Sequence, residues 1–220
     1  MRRRLQENSL SLVAFGLFFL VFILGQTMSG QRVYNEEQRE HGEAPVPMTE
    51  YLTTGHFVEA TSENWESEFL QMGAYVLLTV WFRQKGSAES KKLDGEEPED
   101  ADPRQDLRPD SPRAVKMGGL ALGLYKNSLS LAFFGLFLLS FGLHAAGGAR
   151  EYSSEQVAHG GQKVTALEYL RTSQFWFESL QNWQSEFLAV AAIVTLTIFL
   201  RQQGSPESKP VAAPHSETGR

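Results

Sequence analysis

Two short stretches of this 220-residue chain carry polar side chains at a spacing that suits chemistry. One reads NWESEFL from Asn64, and the other reads NWQSEFL from Asn182, 118 positions later. Residues four apart share a helix face, so each asparagine lies on the same face as the glutamate of its own stretch, Glu68 or Glu186. If the two helices are neighbours, these residues form one polar site. Such a site in a membrane can bind a cation or pass a proton.

A simpler interpretation of the same stretches needs no ligand. Trp65 and Trp183 belong to them, and tryptophan is enriched at the boundary between membrane and water. The asparagines then cap the start of a helix, and the glutamates face the positive end of its dipole. We prefer this interpretation, in which the two tryptophans are interface anchors. The candidate polar site is kept as the alternative.

Two histidines repeat in the same way. His41 lies in EQREHG and His159 lies in EQVAHG, and each follows a glutamate by four residues. On a helix, each pair offers two ligands, and two such pairs would complete a metal site. No H-E-x-x-H motif accompanies them, and the glycine after each histidine, Gly42 or Gly160, is typical of a helix C-cap. We therefore predict no metal site and keep the histidines as weak candidates.

The composition excludes several classes of function. The chain has no cysteine, which excludes disulfides, thiolate metal sites and cysteine nucleophiles. Its formal net charge of −6 argues against general nucleic-acid binding, which requires a basic surface. The sequence contains no catalytic triad, phosphate-binding glycine-rich loop or zinc-finger spacing. We expect no enzymatic activity, no cofactor and no nucleic-acid partner.

The two halves of the chain resemble each other over nearly their whole length. NSLSLVAFGLFFL, from Asn8, matches NSLSLAFFGLFLL at an offset of 119, and FRQKGSAESK, from Phe82, matches LRQQGSPESK at an offset of 118. We interpret this pattern as an internal duplication in which one residue was lost. The predicted organisation is a first two-span repeat at 1–85, a disordered charged linker at 86–113, a second two-span repeat at 114–203 and a disordered tail at 204–220.

Four apolar segments predict four transmembrane helices, although a span needs about 20 residues and these must borrow flanking ones. They are 9–25, 69–82, 128–143 and 187–200. Helices buried in a soluble bundle would carry polar residues at every third or fourth position, which the first and third segments lack. The other alternative is a signal peptide at the N-terminus. The same apolar segment recurs in mid-chain, which argues against it.

The positive charges predict the orientation. Of the 20 lysines and arginines, 15 lie before the first span, between the second and third spans, or after the fourth, and the positive-inside rule places these segments in the cytoplasm. We therefore expect an all-α integral membrane protein of two tandem helical hairpins in the same orientation, with both termini cytoplasmic. Each extracytoplasmic loop should carry a short surface helix. Thr165 and Glu168 predict a capping box at the start of the second one.

The same motifs carry a resemblance to a known family. The NSLSL…FGLF segment, the EYL of each loop and the NWxSEFL…RQxGSxESK ending resemble a bacterial family of integral membrane proteins of unknown function. The resemblance implies the bacterial inner membrane as location, and no activity. We expect a structural, interaction or envelope-stress role in the lipid bilayer, with a second copy or another membrane protein as partner. A small transporter or ion pathway through Glu68 and Glu186 is the alternative.

Overall fold

The structure is a computed structural model that describes residues 2–95, 97–105 and 107–219. Within these residues every regular element is helical and none is a strand, as the sequence predicts. The α-helices are α1 (Arg2–Glu7), α2 (Ser9–Leu20), α3 (Met28–Glu40), α4 (Met48–Tyr51), α5 (Gly55–Trp81), α6 (Arg113–Met117), α7 (Gly119–Lys126), α8 (Ser128–Ala158), α9 (Ala166–Tyr169) and α10 (Ser173–Phe199). A π-helical segment (Val21–Thr27) joins α2 to α3, and a 3-10 turn occupies Pro98–Asp100.

The π-helical segment accounts for the change of offset between the two halves. With α2 and α3 it forms one continuous helix, Ser9–Glu40, whereas the equivalent part of the second half is the uninterrupted helix α8. Between the matching motifs NSLSL and EQxxHG, the first half is one residue longer than the second. A π-helical turn holds one extra residue without ending the helix. The extra residue therefore leaves the register on both sides intact.

Within the part of the chain that the structure describes, three helices are long and apolar enough to cross a membrane: Ser9–Glu40, Ser128–Ala158 and Ser173–Phe199. In the first and third, only 6% of the most apolar 18-residue window is buried, and in the second 22%. Large side chains such as Leu10 and Phe15 are mostly exposed. Apolar surface of this extent is typical of contact with lipid. These features indicate a membrane protein.

Helix α5 covers the second predicted span. It has 27 residues, so its length of about 40 Å exceeds the thickness of the apolar part of a bilayer. α5 is not one of the three apolar candidates. Its N-terminal part is rich in glutamate, with Glu59, Glu63, Glu66 and Glu68. The fourth span therefore stays a prediction.

The two loops contain the short helices that the sequence predicts, α4 and α9. Thr165 and Glu168 form the predicted capping box, in which the backbone N–H of Thr165 donates to the Glu168 carboxylate over 2.7 Å. These bonds from Thr165 hold the pKa of Glu168 below its ordinary value. In the first loop, Pro47 precedes α4 and makes no side-chain cap. Gly42 and Gly160 have φ angles of 78° and 80°, which confirms the predicted C-caps.

The chain divides into two compact units, and each contains residues from both halves of the sequence. Unit 1 comprises Met1–Ser62 and Leu143–Phe175. Unit 2 comprises Glu63–Gly142 and Trp176–Arg220. The predicted domain boundaries at 85 and 113 stay predictions.

Two equivalent tyrosines form the core of unit 1. Tyr51 is 1% exposed and Tyr169 is 0% exposed. Tyr34 packs on the first with ring centroids 5.8 Å apart, and Tyr152 packs on the second at 5.6 Å. Burial raises the pKa of Tyr51 to about 12, so its phenol stays neutral at ordinary pH. Matching residues in the two halves thus build matching aromatic contacts.

Glycines in the neighbouring helices make room for these rings. A Cβ atom on Gly148 would lie 2.7 Å from the Tyr169 hydroxyl oxygen. A Cβ atom on Gly30 would lie 3.2 Å from Cζ of Tyr51. Separations near or below 3 Å are too short for carbon, so both positions require glycine as long as the tyrosines keep their places.

The linker and the tail make defined contacts within unit 2. Ser87 Oγ lies 2.9 Å from Thr197 Oγ1 in α10, and both residues are buried. The Lys209 ammonium donates to three backbone carbonyl oxygens of the tail, those of Pro214, His215 and Glu217. Bonds of this kind satisfy a buried ammonium group. The disorder of these segments stays a prediction.

Candidate functional site

The repeated stretches NWESEFL and NWQSEFL lie well inside their helices. α5 and α10 each begin nine residues before the asparagine of the stretch. The interpretation of Asn64 and Asn182 as helix caps is therefore wrong. The dipole role of Glu68 and Glu186 is wrong for the same reason, because that effect fades within the first turn of a helix.

Threonines provide the caps at the true helix starts. The Thr54 hydroxyl accepts from the backbone N–H of Phe57 over 3.2 Å, and Thr172 accepts from that of Phe175 over 3.2 Å. A capped start lets each helix include the polar residues that precede its apolar part. This extension carries the glutamates of α5 into the interior of the helix.

Glu66 is a fully buried carboxylate of unit 2. Its side chain belongs to α5 and is 0% exposed. The indole N–H of Trp183, in α10, donates to Glu66 Oε1 over 2.9 Å. Beside it on α5, Ser67 is also buried, at 2% exposed. A carboxylate in such a place is costly unless it is hydrogen-bonded or holds a proton or cation.

The residues of the predicted polar site lie on the same two helices, α5 and α10. The carboxylates of Glu68 and Glu186 lie close enough to repel each other electrostatically. Glu68 and Asn64 are exposed, whereas Glu186 is half-buried. The Asn182 amide donates to the carboxylate of Glu63 over 3.4 Å. The structure thus brings the two predicted glutamates into one neighbourhood, and their role stays a prediction, as does that of Trp65 and Trp183 as interface anchors.

Sequence reasoning missed Glu66, although the sequence contained a signal. Glu66 is the third residue of NWESEFL, where the other copy has Gln184. Gln71 is a second polar residue of this kind, and the other half has Ala189 there. At each of these positions, one copy carries a more polar side chain than the other, although the residues around it match. The packing that both copies share does not require the more polar side chain.

A second buried polar group lies in unit 1. The Tyr169 hydroxyl donates to Glu59 Oε1 over 3.0 Å. His144 is 0% exposed, and one of its ring nitrogens lies within 4.8 Å of a Glu59 carboxylate oxygen. The His144 ring stacks on Phe175 with centroids 4.6 Å apart, which fixes its orientation. An imidazole and a carboxylate within this distance are candidate ligands for one cation.

His144 gave no signal in the sequence because the offset changes near it. At an offset of 119 its counterpart is Gly25, which suggests no polar partner. At the offset of 118, which holds after the π-helical segment, its counterpart is Gln26, the next-to-last residue of that segment. The Gln26 amide donates to Thr61 Oγ1 over 3.0 Å in unit 1. The polar character of this position is therefore shared by both halves.

The two repeated histidines line one cleft of unit 1, with a volume of about 1100 Å³. Nδ1 of His41 lies 2.9 Å from the carbonyl oxygen of Glu37, and Nδ1 of His159 lies 2.8 Å from that of Glu155. Since a carbonyl can only accept, Nδ1 donates in both, which leaves Nε2 as the ligand atom. The weak metal candidates thus share a cleft, and the expectation that they bind no metal stays a prediction.

Comparisons with known proteins identify a family without an activity. A search of curated proteins found no match, and neither did a search of solved structures. A family profile matches the whole chain, residues 1–220. The motifs that resemble a family of unknown function agree with this result, and the chain belongs to the family described as Domain of unknown function (DUF6766).

Proposed function

We propose that this chain is a multi-pass protein of the bacterial inner membrane with four spans. Three helices have the length and apolar character of a span, and α5 has the length. Counting α5 makes the number of spans even. Both termini and the linker then lie in the cytoplasm, where the positive-inside rule favours 15 of the 20 basic residues. In this proposal the two similar halves are tandem hairpins in the same orientation.

We further propose that α5 and α10 hold a site for a proton or a small cation. The observation that carries the proposal is the full burial of Glu66 and its bond from Trp183. An ionisable residue within a membrane helix is costly and commonly marks an ion or proton pathway. Glu66 would bind the proton or cation, and the indole would hold its carboxylate in place.

The neighbouring glutamates support the same proposal. Glu68 and Glu186 repel each other when both are charged, and a proton or cation between them would relieve this repulsion. Gln71 is 9% exposed, and its amide donates to the backbone carbonyl oxygen of Glu186 over 3.0 Å. These groups extend the polar surface from Glu66 along α5.

A non-enzymatic structural, interaction or envelope-stress role is the second candidate. One observation favours it: the bonds from Trp183 to Glu66 and from Gln71 to Glu186 join α5 to α10. Hydrogen bonds between membrane helices contribute about 0.6 kcal/mol on average, enough to guide packing. In this role the partner would be a second copy of the chain or another membrane protein.

A flux assay in proteoliposomes separates the two candidates. Under an imposed potential, we expect wild-type protein to move protons or a monovalent cation above the rate of empty vesicles. Glu66→Gln should abolish this flux, and Glu68→Gln and Glu186→Gln should reduce it. Glu50→Gln, in a loop helix, is the matched control and should behave as wild type. Background flux for the wild-type protein with every ion tested would reject the pathway and leave the structural role.

A further inference from the structure

We propose that Glu59 and His144 bind a divalent transition-metal ion, for which Zn²⁺ is the appropriate probe. The inference goes beyond the ion pathway, because a metal can bind whether or not any ion crosses the membrane. It also departs from the expectation of no metal site, whose weak candidates were the exposed histidines at positions 41 and 159.

The two groups have the chemistry and the separation that such an ion requires. Imidazole nitrogen and carboxylate oxygen are both zinc ligands, at distances near 2.0–2.2 Å. One nitrogen of His144 and one oxygen of Glu59 lie within 4.8 Å of each other. Two ligands of a single ion are separated by up to about 4 Å, so a small side-chain movement completes the contact.

Burial distinguishes this pair from a chance encounter of surface groups. His144 is fully buried, and Glu59 is half-buried on α5. A Cβ atom on Gly147, in α8, would lie 2.7 Å from the backbone nitrogen of Glu59, so the two helices meet at this level. Glycine at this crossing lets the helices approach each other. The ligand pair is therefore positioned by rigid helices.

The surrounding side chains hold both ligands in fixed orientations. The Tyr169 hydroxyl donates to Glu59 Oε1 over 3.0 Å. The His144 ring stacks on Phe175. A hydrogen-bond donor behind a ligating carboxylate is a common feature of metal sites, and its removal weakens binding roughly 10–100-fold.

In this proposal the site is an exchangeable one. A structural zinc site has four protein ligands, whereas an exchangeable site keeps positions for water. Within unit 1, Glu59 and His144 supply two of the ligands. We therefore expect zinc to be removed by a chelator without unfolding the protein.

Zinc binding to the detergent-purified full-length chain tests the proposal, with an affinity tag that contains no histidine. After treatment with a chelator, the wild-type protein should take up about one zinc ion per chain, measured by mass spectrometry of the metal. Co²⁺ should give a visible absorption band. Glu59→Gln and His144→Gln should each weaken binding at least tenfold, and Tyr169→Phe should weaken it less. The variant His144→Gln carries the same side chain as Gln26, the residue 118 positions earlier.

The control is the double variant His41→Ala and His159→Ala, which removes the two histidines of the cleft and should keep full zinc binding. Gel filtration and thermal unfolding of each variant confirm that it is folded. The proposal would be overturned if the wild-type protein took up no zinc. It would also be overturned if the control lost zinc binding while folded Glu59→Gln and His144→Gln kept it. The flux assay with Glu66→Gln stays separate, since Glu66 lies outside unit 1.

Discussion

Single residues decide where the two similar halves differ in chemistry. Glu66, the fully buried carboxylate, stands where the other half has Gln184. His144 stands where the first half has Gln26, at the offset of 118. In both pairs a neutral amide is replaced by an ionisable group, which is costlier to bury. The residues that the halves share, such as the tyrosines of unit 1, instead build matching packing contacts.

The glycine beside Tyr169 provides a test of that packing. Gly148→Ala should destabilise the protein by about 1–3 kcal/mol, because the new methyl group overlaps a buried ring that has no room to move. Gly142→Ala, in the same helix, is the matched control, since nothing lies within 4 Å of that position. It should be neutral, or stabilising by up to about 1 kcal/mol. Thermal unfolding in detergent measures both, and equal effects would contradict the assigned contact.

The capping box gives a prediction about acid. Hydrogen bonds from Thr165 lower the pKa of Glu168 from its ordinary value of 4.5. The carboxylate therefore stabilises the fold fully above that ordinary value, and the stabilisation is lost as the pH falls through the lowered pKa. Between pH 7 and pH 3, wild-type protein should lose more thermal stability than Glu168→Gln.

Glu50→Gln is the matched control for this pH series, because Pro47 leaves the first loop without a side-chain cap. Its pH dependence should equal that of wild type. Thr165→Ala should cost about 1 kcal/mol at pH 7. If Glu168→Gln and wild type lost stability in parallel, the cap would contribute nothing in solution.

At the scale of whole helices, the sequence predicted that the helices exist better than it predicted where they begin and end. The apolar runs were sufficient to predict helices at all four spans, because a helix satisfies the backbone hydrogen bonds of a single segment in lipid. The second and fourth spans were predicted at 69–82 and 187–200, whereas the helices that contain them, α5 and α10, have 27 residues each. Their polar N-terminal parts have the composition of a loop. Threonine caps and buried contacts, which composition does not reveal, make them helical.

The π-helical segment allows a test at the same scale. Deletion of one residue within Val21–Thr27, for example Gly25, should be tolerated, because it converts the segment into the α-helical register of the second half. Deletion of Leu143 from α8 is the matched control. It should disrupt folding, because it rotates every later residue of that helix by about 100°.

Gel filtration and helical content by circular dichroism compare the two deletion variants. We expect the first to remain monodisperse and the second to aggregate. Equal tolerance of both deletions, or loss of the first variant alone, would contradict the role given to the π-helical segment.

At the scale of the whole molecule, composition and pattern predicted the class, and the site required the structure. The apolar runs and the distribution of positive charge indicate a membrane protein with a preferred orientation. The pairing of Glu66 with Trp183, and of Glu59 with His144, depends on which helix faces which. One sequence does not contain that information. The repeated motif directed attention to Glu68 and Glu186, whereas the buried carboxylate is Glu66, two residues before Glu68.

The number of spans determines which segments share the cytoplasm. With four spans, the linker and both termini lie on the same side. If α5 did not cross, the linker would lie outside and so would the C-terminus. The chain has no cysteine, so a single introduced cysteine reports its own location without background.

Labelling of single cysteines with a membrane-impermeant maleimide therefore tests the central claim most directly. In right-side-out spheroplasts of a bacterial host, Ala44→Cys and Gly161→Cys, in the two loops, should react at once. Ser111→Cys in the linker and Ser216→Cys in the tail should react only after permeabilisation. Reaction of Ser111→Cys in intact spheroplasts would show that α5 does not cross the membrane and would contradict the four-span account.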